Sequence, residues 1–484
     1  MQVQNKNHRF TKIGLVGSGL VLGLMLSLTY SAVAEKMVKP QLPLDDLRAF
    51  AEVFGKIKSD YVEPVEDKKL ISEAISGMLT GLDPHSTYMD PDAFKDMQAA
   101  TQGEFGGLGI EVGMEDGVVK VVSPIEDSPA YVAGLKSGDL IVKLDETPVK
   151  GMTLNDAVKR MRGKPDTQIE LTVIRKNETK PLKFTLTRAI IKNKSVKYKL
   201  TEPGYAYVRV TQFQERTGED LAKAIKTLHA ENKGPFKGFI LDLRNDPGGL
   251  LNGAVGVAAA FLPKGELVVY TEGRAPDSKM QLTAIPENYA RGGIANDYIR
   301  DLPADLKTVP MAVLINSGSA SASEIVAGAL QDHKRAAVLG TQSFGKGSVQ
   351  TIMPMNNGAA IKLTTARYFT PKGRSIQAKG IVPDYIVEDG TDQSGNIHEA
   401  DLSRHLSNPK DAKANEPAKP VANIANGAKD AAKEKLNEKK FAEPAAPIEP
   451  ASKDDIQFTQ AMNFLKGLPV IQSAPAKAEA TKTN

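Results

Sequence analysis

Ser321 and Lys346 are the side chains of this sequence whose surroundings best suit covalent chemistry. Ser321 sits in Gly318-Ser319-Ala320-Ser321-Ala322-Ser323-Glu324, and Lys346 in Phe344-Gly345-Lys346-Gly347-Ser348-Val349-Gln350. A serine hydroxyl is a weak nucleophile until a base takes its proton, and a lysine amine serves as that base only when burial lowers its pKa. Exposed, the amine is fully charged at neutral pH and accepts nothing. Each residue also has an ordinary explanation: serine at a helix start caps orphan amides, and lysine in a glycine turn commonly sits on the surface. The setting favours chemistry. The serine run is wedged between an apolar strand over 311–316 and an apolar helix over 322–331 that carries Ile325, Val326, Ala329 and Leu330. A helix N-terminus presents amides and a positive dipole end to a developing oxyanion. The pairing points to a serine peptidase that needs no histidine.

The elements that must position these groups alternate in type. Strand patterns fall at 205–210, 239–243, 311–316, 336–340 and 361–366, and helix patterns at 219–230, 250–262 and 322–331. Such alternation predicts an α/β layer fold. Ser321 and Lys346 then lie at strand exits, where these folds expose reactive groups. The turn Asp242-Leu243-Arg244-Asn245-Asp246-Pro247-Gly248-Gly249 also joins an apolar strand to an apolar helix, and its paired glycines leave amides unobstructed. It is either a plain connection or half of an oxyanion hole, with Gly248 or Gly249 as one donor and Ala322 as the other. A nucleotide site is rejected. The run from Gly340 to Lys346 fits a phosphate-binding loop, but Gly347 stands where Ser or Thr should hold magnesium, and 348–353 reads as a strand rather than a helix.

Residues 99–189 read as strands at 108–112, 118–122, 140–144 and 168–174, with one helix over 154–161 capped by Thr153. Gly106-Gly107-Leu108-Gly109-Ile110 frees amides beside a strand edge, a setting that captures a peptide carboxylate while the peptide adds as a strand. Residues 44–98 show helical spacing in Leu47, Phe50, Phe54 and Ile57 and again in Leu70, Ile71, Ala74, Ile75, Met78 and Leu79, broken at Leu82-Asp83-Pro84-His85-Ser86. Helices this short cannot bury their apolar faces alone. Residues 408–455, rich in Ala, Lys, Glu, Pro and Asn, read as a solvated linker. A last helix follows, with Phe458, Ala461, Met462 and Leu465 on one face and Gly467 as its stop. Self-association through the two terminal helical regions, giving a homo-oligomer, is the expected use of these faces.

Composition removes several classes. The net charge is +4 and no basic stripe interleaves with aromatics, so nucleic-acid binding has no support. With no cysteine there is no disulfide, cysteine nucleophile or thiolate metal site, and the six histidines lack ligand spacing, so neither metal nor cofactor is expected. Lys6, Arg9 and Lys12, an apolar run over 13–28 and Ala32-Val33-Ala34 read as a cleaved signal peptide over 1–34. An uncleaved inner-membrane anchor is the lesser alternative, because the run is short for a span. The expected location is a bacterial periplasm.

Across residues 44–390 the chain resembles the carboxyl-terminal processing, or tail-specific, serine proteases with an inserted PDZ domain. The resemblance rests on Leu82-Asp83-Pro84-His85-Ser86, the 106–110 loop, the 242–249 turn and Ser319-Ala320-Ser321-Ala322-Ser323-Glu324. It also rests on Phe344-Gly345-Lys346-Gly347 and Thr370-Pro371-Lys372-Gly373-Arg374-Ser375-Ile376-Gln377. It implies an α/β peptidase core of the Clp-protease and crotonase type over 190–407 and a PDZ domain of mixed strands and helices over 99–189. A helical region over 35–98, the linker over 408–455 and a helix and tail over 456–484 complete the expected division.

By the same resemblance Ser321 is the nucleophile, Lys346 the base and Gln350 the group that holds the lysine. Asp332 matches an acidic third partner described in some members and ranks below Gln350, because a carboxylate at the lysine would raise its pKa. The family's turn carries Asn where this chain has Asp246, whose carboxylate is expected to point away from the oxyanion hole. A substrate's free apolar C-terminal end is expected at Leu108, Gly109 and Ile110, with Leu154, Val158 and Met161 lining the pocket and the tail laid across the strand near Leu363. The implied substrates are envelope or secreted proteins cut near their C-termini, and an adaptor lipoprotein, used by some periplasmic relatives, is an implied partner. Two other readings stay open: a PDZ peptide-binding scaffold whose latent peptidase core needs an activating partner, and a Ser/His/Asp hydrolase using His85 or His333.

Overall fold

The computed structural model describes residues 42–115, 117–125, 128–176, 178–192, 194–389, 397–411 and 449–473. The expected signal peptide at 1–34, residues 412–448 of the expected 408–455 linker and the tail beyond 473 lie outside these residues. The described residues fall into two compact units that divide between Ala74 and Ile75. In the first, α1 (Leu44–Asp60) opens with Asp45 and Asp46 and closes with Lys58, charges that complement its dipole, and it buries none of its residues. The unit boundary falls within α2 (Asp67–Thr80).

Region 35–98 is not wholly helical. After the break at Leu82–Ser86 come β1 (Thr87–Met89) and α3 (Pro91–Gln102), whose first turn is capped by Asp90 through Ala93 N at 2.8 Å. Gly103 ends α3 at a φ of +76°.

The expected PDZ segment is an antiparallel sheet. It contains β3 (Ile110–Glu115), β4 (Val118–Pro124), β5 (Leu140–Leu144), β6 (Thr147–Pro148), β7 (Gln168–Ile174) and β8 (Leu182–Thr187), and its helix is α4 (Leu154–Met161). The alternating residues Ile169, Leu171 and Val173 enter its core with Val119, Val121 and Ile141. Thr153 and Asp156 form a capping box at α4. β3 starts two residues later than the pattern suggested, because Gly109 takes a φ of +74° that bends the chain at Leu108 and Gly109. β2 (Glu104–Gly107) pairs with β9 (Ala189–Lys192) in a separate two-stranded sheet, so the chain enters and leaves this segment side by side.

The core has two sheets. The first runs β10 (Val196–Glu202), β11 (Tyr205–Val210), β12 (Gly238–Asp242), β15 (Met311–Ile315), β16 (Ala337–Gly340) and β19 (Tyr385–Ile386), parallel from β11 onward. Every residue of β12 and β15 is buried, as parallel strands covered on both faces require. Helices α5 (Thr217–Asn232), α6 (Leu251–Phe261) and α7 (Ala322–Asp332) share one core cluster with Val208, Leu241, Val313 and Val338 from one face of that sheet. The second sheet, β1–β18–β13–β14 with β17 on β18, adds Val268, Val269 and Tyr368 to the same cluster; its strands include β13 (Leu267–Gly273), β14 (Gln281–Thr283), β17 (Ser348–Pro354) and β18 (Ala360–Phe369).

The other face of the parallel sheet, Tyr207, Ile240, Leu314 and Leu339, is covered by Ala461, Met462 and Leu465 of α8 (Ile456–Leu465). This corrects the expected use of the last helix. Its apolar face is spent on its own chain's sheet and is not available for self-association.

Candidate active site

Three turns meet at the exits of β12, β15 and β16. The serine run follows β15, and its three serines divide the work. Ser319 and Ser323 are fully buried. Ser319 Oγ donates to Leu243 O at 2.8 Å and Ser323 Oγ to Asp246 O at 2.9 Å, so both stitch the run to the 242–249 turn. Ser321, half-buried, is the one that borders open space. Its φ of +55° is rarely adopted by a residue with a side chain and marks a strained turn that thrusts the hydroxyl outward.

Glu324 holds that strain. Its carboxylate, with 0 % exposure, accepts Ser321 N at 2.8 Å, Lys346 N at 2.9 Å, Gly345 N at 2.7 Å and Ser343 Oγ at 2.6 Å. One group thus fixes both the serine turn and the lysine loop. Burial nevertheless pushes its pKa up to about 7. Its spacing from Ser321 is the S-x-x-E of a capping box, a signal legible in the sequence. The same contacts dispose of the nucleotide reading structurally, since the amides of Gly345 and Lys346 are committed to Glu324 and the loop enters β17.

Lys346, also half-buried, has its pKa lowered from the ordinary 10.5 to about 8, chiefly by burial and then by the nearby charge of Lys362, while Glu399, Glu324 and Asp83 oppose the drop. Ser321, Lys346, Gln350, Gly248, Gly249 and Ala322 all line one cleft of about 640 Å³. Ile325, Leu251 and Met97 supply apolar wall. Tyr368, absent from the sequence reading, donates its hydroxyl to Lys346 O and lies within hydrogen-bonding reach of the Ser321 side chain. Nothing in its local pattern distinguishes it from a core strand residue.

Several expectations change in detail. Gln350 sits on strand β17, where a strand was expected, but its Nε2 donates to Ser348 Oγ at 3.0 Å and Thr364 Oγ1 at 3.3 Å, not to the lysine. Asp246 does not point away. Its Oδ1 accepts Gly248 N at 2.8 Å, which commits that amide and removes Gly248 as an oxyanion donor, and burial pushes its pKa up to about 8, which favours its uncharged form near neutral pH. The amides of Gly249 and Ala322 donate to no atom among the described residues. Asp332 pairs with Arg374 at 2.6 Å and accepts Lys372 N at 2.8 Å, bracing the 370–374 loop outside the cleft. Leu363 lines a separate cleft with Gly273 and Arg367, whereas Val349 to Ile352 of β17 border Ser321. Among the described residues β17 pairs only with β18, which leaves its other edge unpaired there.

Neither histidine of the alternative reading borders the cleft. His85 Nε2 lies 2.8 Å from Glu399 Oε2, and His333 Nε2 lies 2.7 Å from Leu267 O. No group of three or more His, Cys, Asp or Glu residues is arranged to hold a metal among the described residues.

In the antiparallel domain, Leu108 and Met161 are buried, and Ile110, Leu154 and Val158 pack at the margin of its core. Gly109 O accepts Ile125 N and Ser128 Oγ, while the amides of Leu108 and Gly109 have no acceptor among the described residues. A Cβ at Gly109 would lie 2.1 Å from Ser128 Cβ, so only glycine fits the bend.

Comparison with known proteins places these features together. Residues 204–387 match the model for Peptidase family S41, 106–186 that for a PDZ domain and 25–93 that for an activating protease CtpB N-terminal domain. The carboxy-terminal-processing protease of Bartonella bacilliformis is 49 % identical over 371 residues, 76 % of this chain and 81 % of that protein. A probable CtpA-like serine protease of Staphylococcus aureus is 34 % identical over 398 residues, 82 % of this chain and 76 % of its own. Among solved structures, a photosystem II D1 C-terminal processing protease is 29 % identical, covering 71 % of this chain and 89 % of its own with a TM-score of 0.41. The chain belongs to the carboxy-terminal-processing proteases, serine-type peptidases that join an S41 core to a PDZ domain.

Proposed function

We propose that Ser321 and Lys346 form the catalytic dyad of this protease, acting on exported proteins near their C-termini. The observation that carries the reading is that the one cleft-facing serine of the run shares its cleft with an amine whose pKa burial has brought to about 8. Ser321 Oγ attacks the scissile carbonyl carbon as its proton passes to Lys346 Nζ. The oxyanion so formed faces the amides of Gly249 and Ala322 at the start of α7. Collapse breaks the C–N bond, and the leaving amine takes the proton from Lys346. Water repeats the sequence on the acyl-enzyme, again with Lys346 as base.

Substrate enters as a strand along the open edge of β17. The unpaired amides at Leu108 and Gly109, with Ile110, Leu154, Val158 and Met161, receive its free apolar end. Gln350 acts through the hydroxyls of Ser348 and Thr364, shaping the wall beside the lysine. The basic and apolar start of the chain supports export to the periplasm. The latent-scaffold reading has less support, because the serine turn and lysine loop are already joined through Glu324.

Ser321→Ala and Lys346→Ala are each expected to abolish cleavage of a peptide with a free apolar C-terminus while circular dichroism stays native. Histidine-directed reagents are expected to have no effect. Near-normal turnover by folded Lys346→Ala would overturn the dyad.

A further inference from the structure

The turn that supplies the oxyanion donor is held by a residue from far along the chain. Arg244, inside 242–249, is 9 % exposed at its side chain, and Asp455, the N-cap of α8, is 3 % exposed. They form a forked pair, Nη1 to Oδ1 at 2.8 Å and Nη2 to Oδ2 at 2.7 Å. Gln457 Oε1 accepts the same Nη1 at 3.0 Å, and its Nε2 donates to Val387 O at 2.8 Å. On its other side Arg244 engages Asp242 through Nε at 3.0 Å and Nη2 at 2.7 Å. Asp242 also receives Arg209 Nη1 at 3.2 Å and the Tyr207 hydroxyl at 2.6 Å.

Charge makes this arrangement interdependent. Two guanidiniums, Arg209 and Arg244, face two carboxylates, Asp242 and Asp455, with little access to water. Burial acts to raise the Asp455 carboxyl, but hydrogen bonding and charge from Arg244 hold it below the usual carboxylate range. Without Asp455, two cations would share the single carboxylate of Asp242, and a buried ion that loses its partner moves or drags its backbone. That backbone leads straight to the catalytic turn. Leu243 O anchors Ser319, and Asp246 O anchors both Ala320 N, at 3.0 Å, and Ser323. These residues flank Ser321.

We propose that the C-terminal segment 449–473 is a positioning element of the peptidase site, clamping the 242–249 turn through Asp455 and Gln457 on Arg244. The proposal rests on the Ser321 reading above and deepens it. Asp455 touches no substrate. It holds Arg244, which holds the turn against which the serine run is stitched.

The test compares full-length wild type, Asp455→Asn, Asp455→Glu and Phe458→Ala. Phe458 packs edge-on against Tyr207 at 5.7 Å, so its truncation weakens helix docking without touching Arg244. The readouts are kcat, KM, the rate at which a fluorophosphonate labels Ser321 as located by mass spectrometry, and binding of an apolar C-terminal peptide. Asp455→Asn is expected to lower kcat and the labelling rate by about 10- to 100-fold with KM and peptide binding unmoved. Asp455→Glu is expected to recover part of the loss, and Phe458→Ala, which loosens the helix on Tyr207 but leaves the Asp455–Arg244 fork, to lower Tm with a smaller fall in kcat than Asp455→Asn.

Native kcat and labelling in folded Asp455→Asn would overturn the clamp. If Asp455→Asn does not fold, Gln457→Ala, which removes one contact of the three, is expected to give a smaller loss of the same kind, and unchanged kcat there would overturn it equally. Label on a residue other than Ser321 in the wild type would instead defeat the dyad, so the two failures are distinguishable.

Discussion

The pKa of Lys346 makes a prediction with two independent faces. With the amine at about 8, roughly one molecule in ten carries a neutral lysine at pH 7. kcat/KM should therefore climb about tenfold per pH unit through the acid limb and level off above pH 8. The drop from 10.5 to about 8 also disfavours the charged form by at most about 3 kcal/mol, less whatever water still reaches this half-buried side chain. Between those two values the unfolded chain binds the proton that the folded chain has released, so stability rises with pH across that window. The cost is full below pH 8 and disappears as pH approaches 10.5. Lys346→Met, which keeps the stem and removes the charge, should abolish cleavage yet raise the unfolding free energy at pH 7 by about 2–3 kcal/mol. The gap from wild type should close by pH 10.5. Turnover of a chromogenic peptide from pH 5.5 to 10, and urea unfolding of Ser321→Ala with and without Lys346→Met, provide the measurements. A rate midpoint near 10.5, or a stability gap that does not narrow at alkaline pH, would refute the reasoning.

Other perturbations address the supports. Glu324→Gln leaves one acceptor oxygen where a carboxylate received three amides and a hydroxyl, and urea unfolding should show a loss of about 3 kcal/mol or more together with a fall in kcat. Because the Glu324 pKa is raised to about 7, its contribution is full below about 4.5 and is lost as pH rises toward 7, so the difference between Glu324→Gln and wild type should shrink over that interval. Gly248→Ala places a Cβ 2.7 Å from Ala320 O and 2.8 Å from Ala322 N at a φ of +96°, and should cost about 1–3 kcal/mol and depress kcat while peptide binding to the PDZ domain stays native. Val158→Glu sets a charge in the expected tail groove and should raise KM for apolar-ended substrates by about tenfold or more, with the fluorophosphonate reactivity of Ser321 unchanged.

What was legible in the sequence was what local chemistry fixes. α4 has the expected bounds because Thr153 and Asp156 cap it and its apolar spacing is unbroken, and β5, β7 and β11 likewise coincide with short apolar runs between turn residues. Ser321 and Lys346 were readable because glycine and serine clusters at strand exits are local signals. The supporting contacts were not. Arg244 meets Asp455, and His85 meets Glu399, across more than two hundred residues, and no periodicity reports such partners. Asp246 was misjudged because its direction depends on whether Gly248 N is offered to it, a matter of backbone geometry. β1 and β14, three residues each, owe their existence to pairing with β18 and β13, so strand propensity alone could not reveal them.

The account depends on an amine in the Ser321 cleft that gives up its proton near pH 8 instead of 10.5, so that a working fraction is neutral at physiological pH. Its most direct measurement is an NMR titration of the Lys346 side chain in Ser321→Ala, labelled with 13C at lysine Cε and assigned by loss of the signal in the double variant with Lys346→Met. The account predicts a resonance that titrates with a midpoint near 8, well apart from the other lysines. A Lys346 resonance that titrates with them near 10.5 would contradict it.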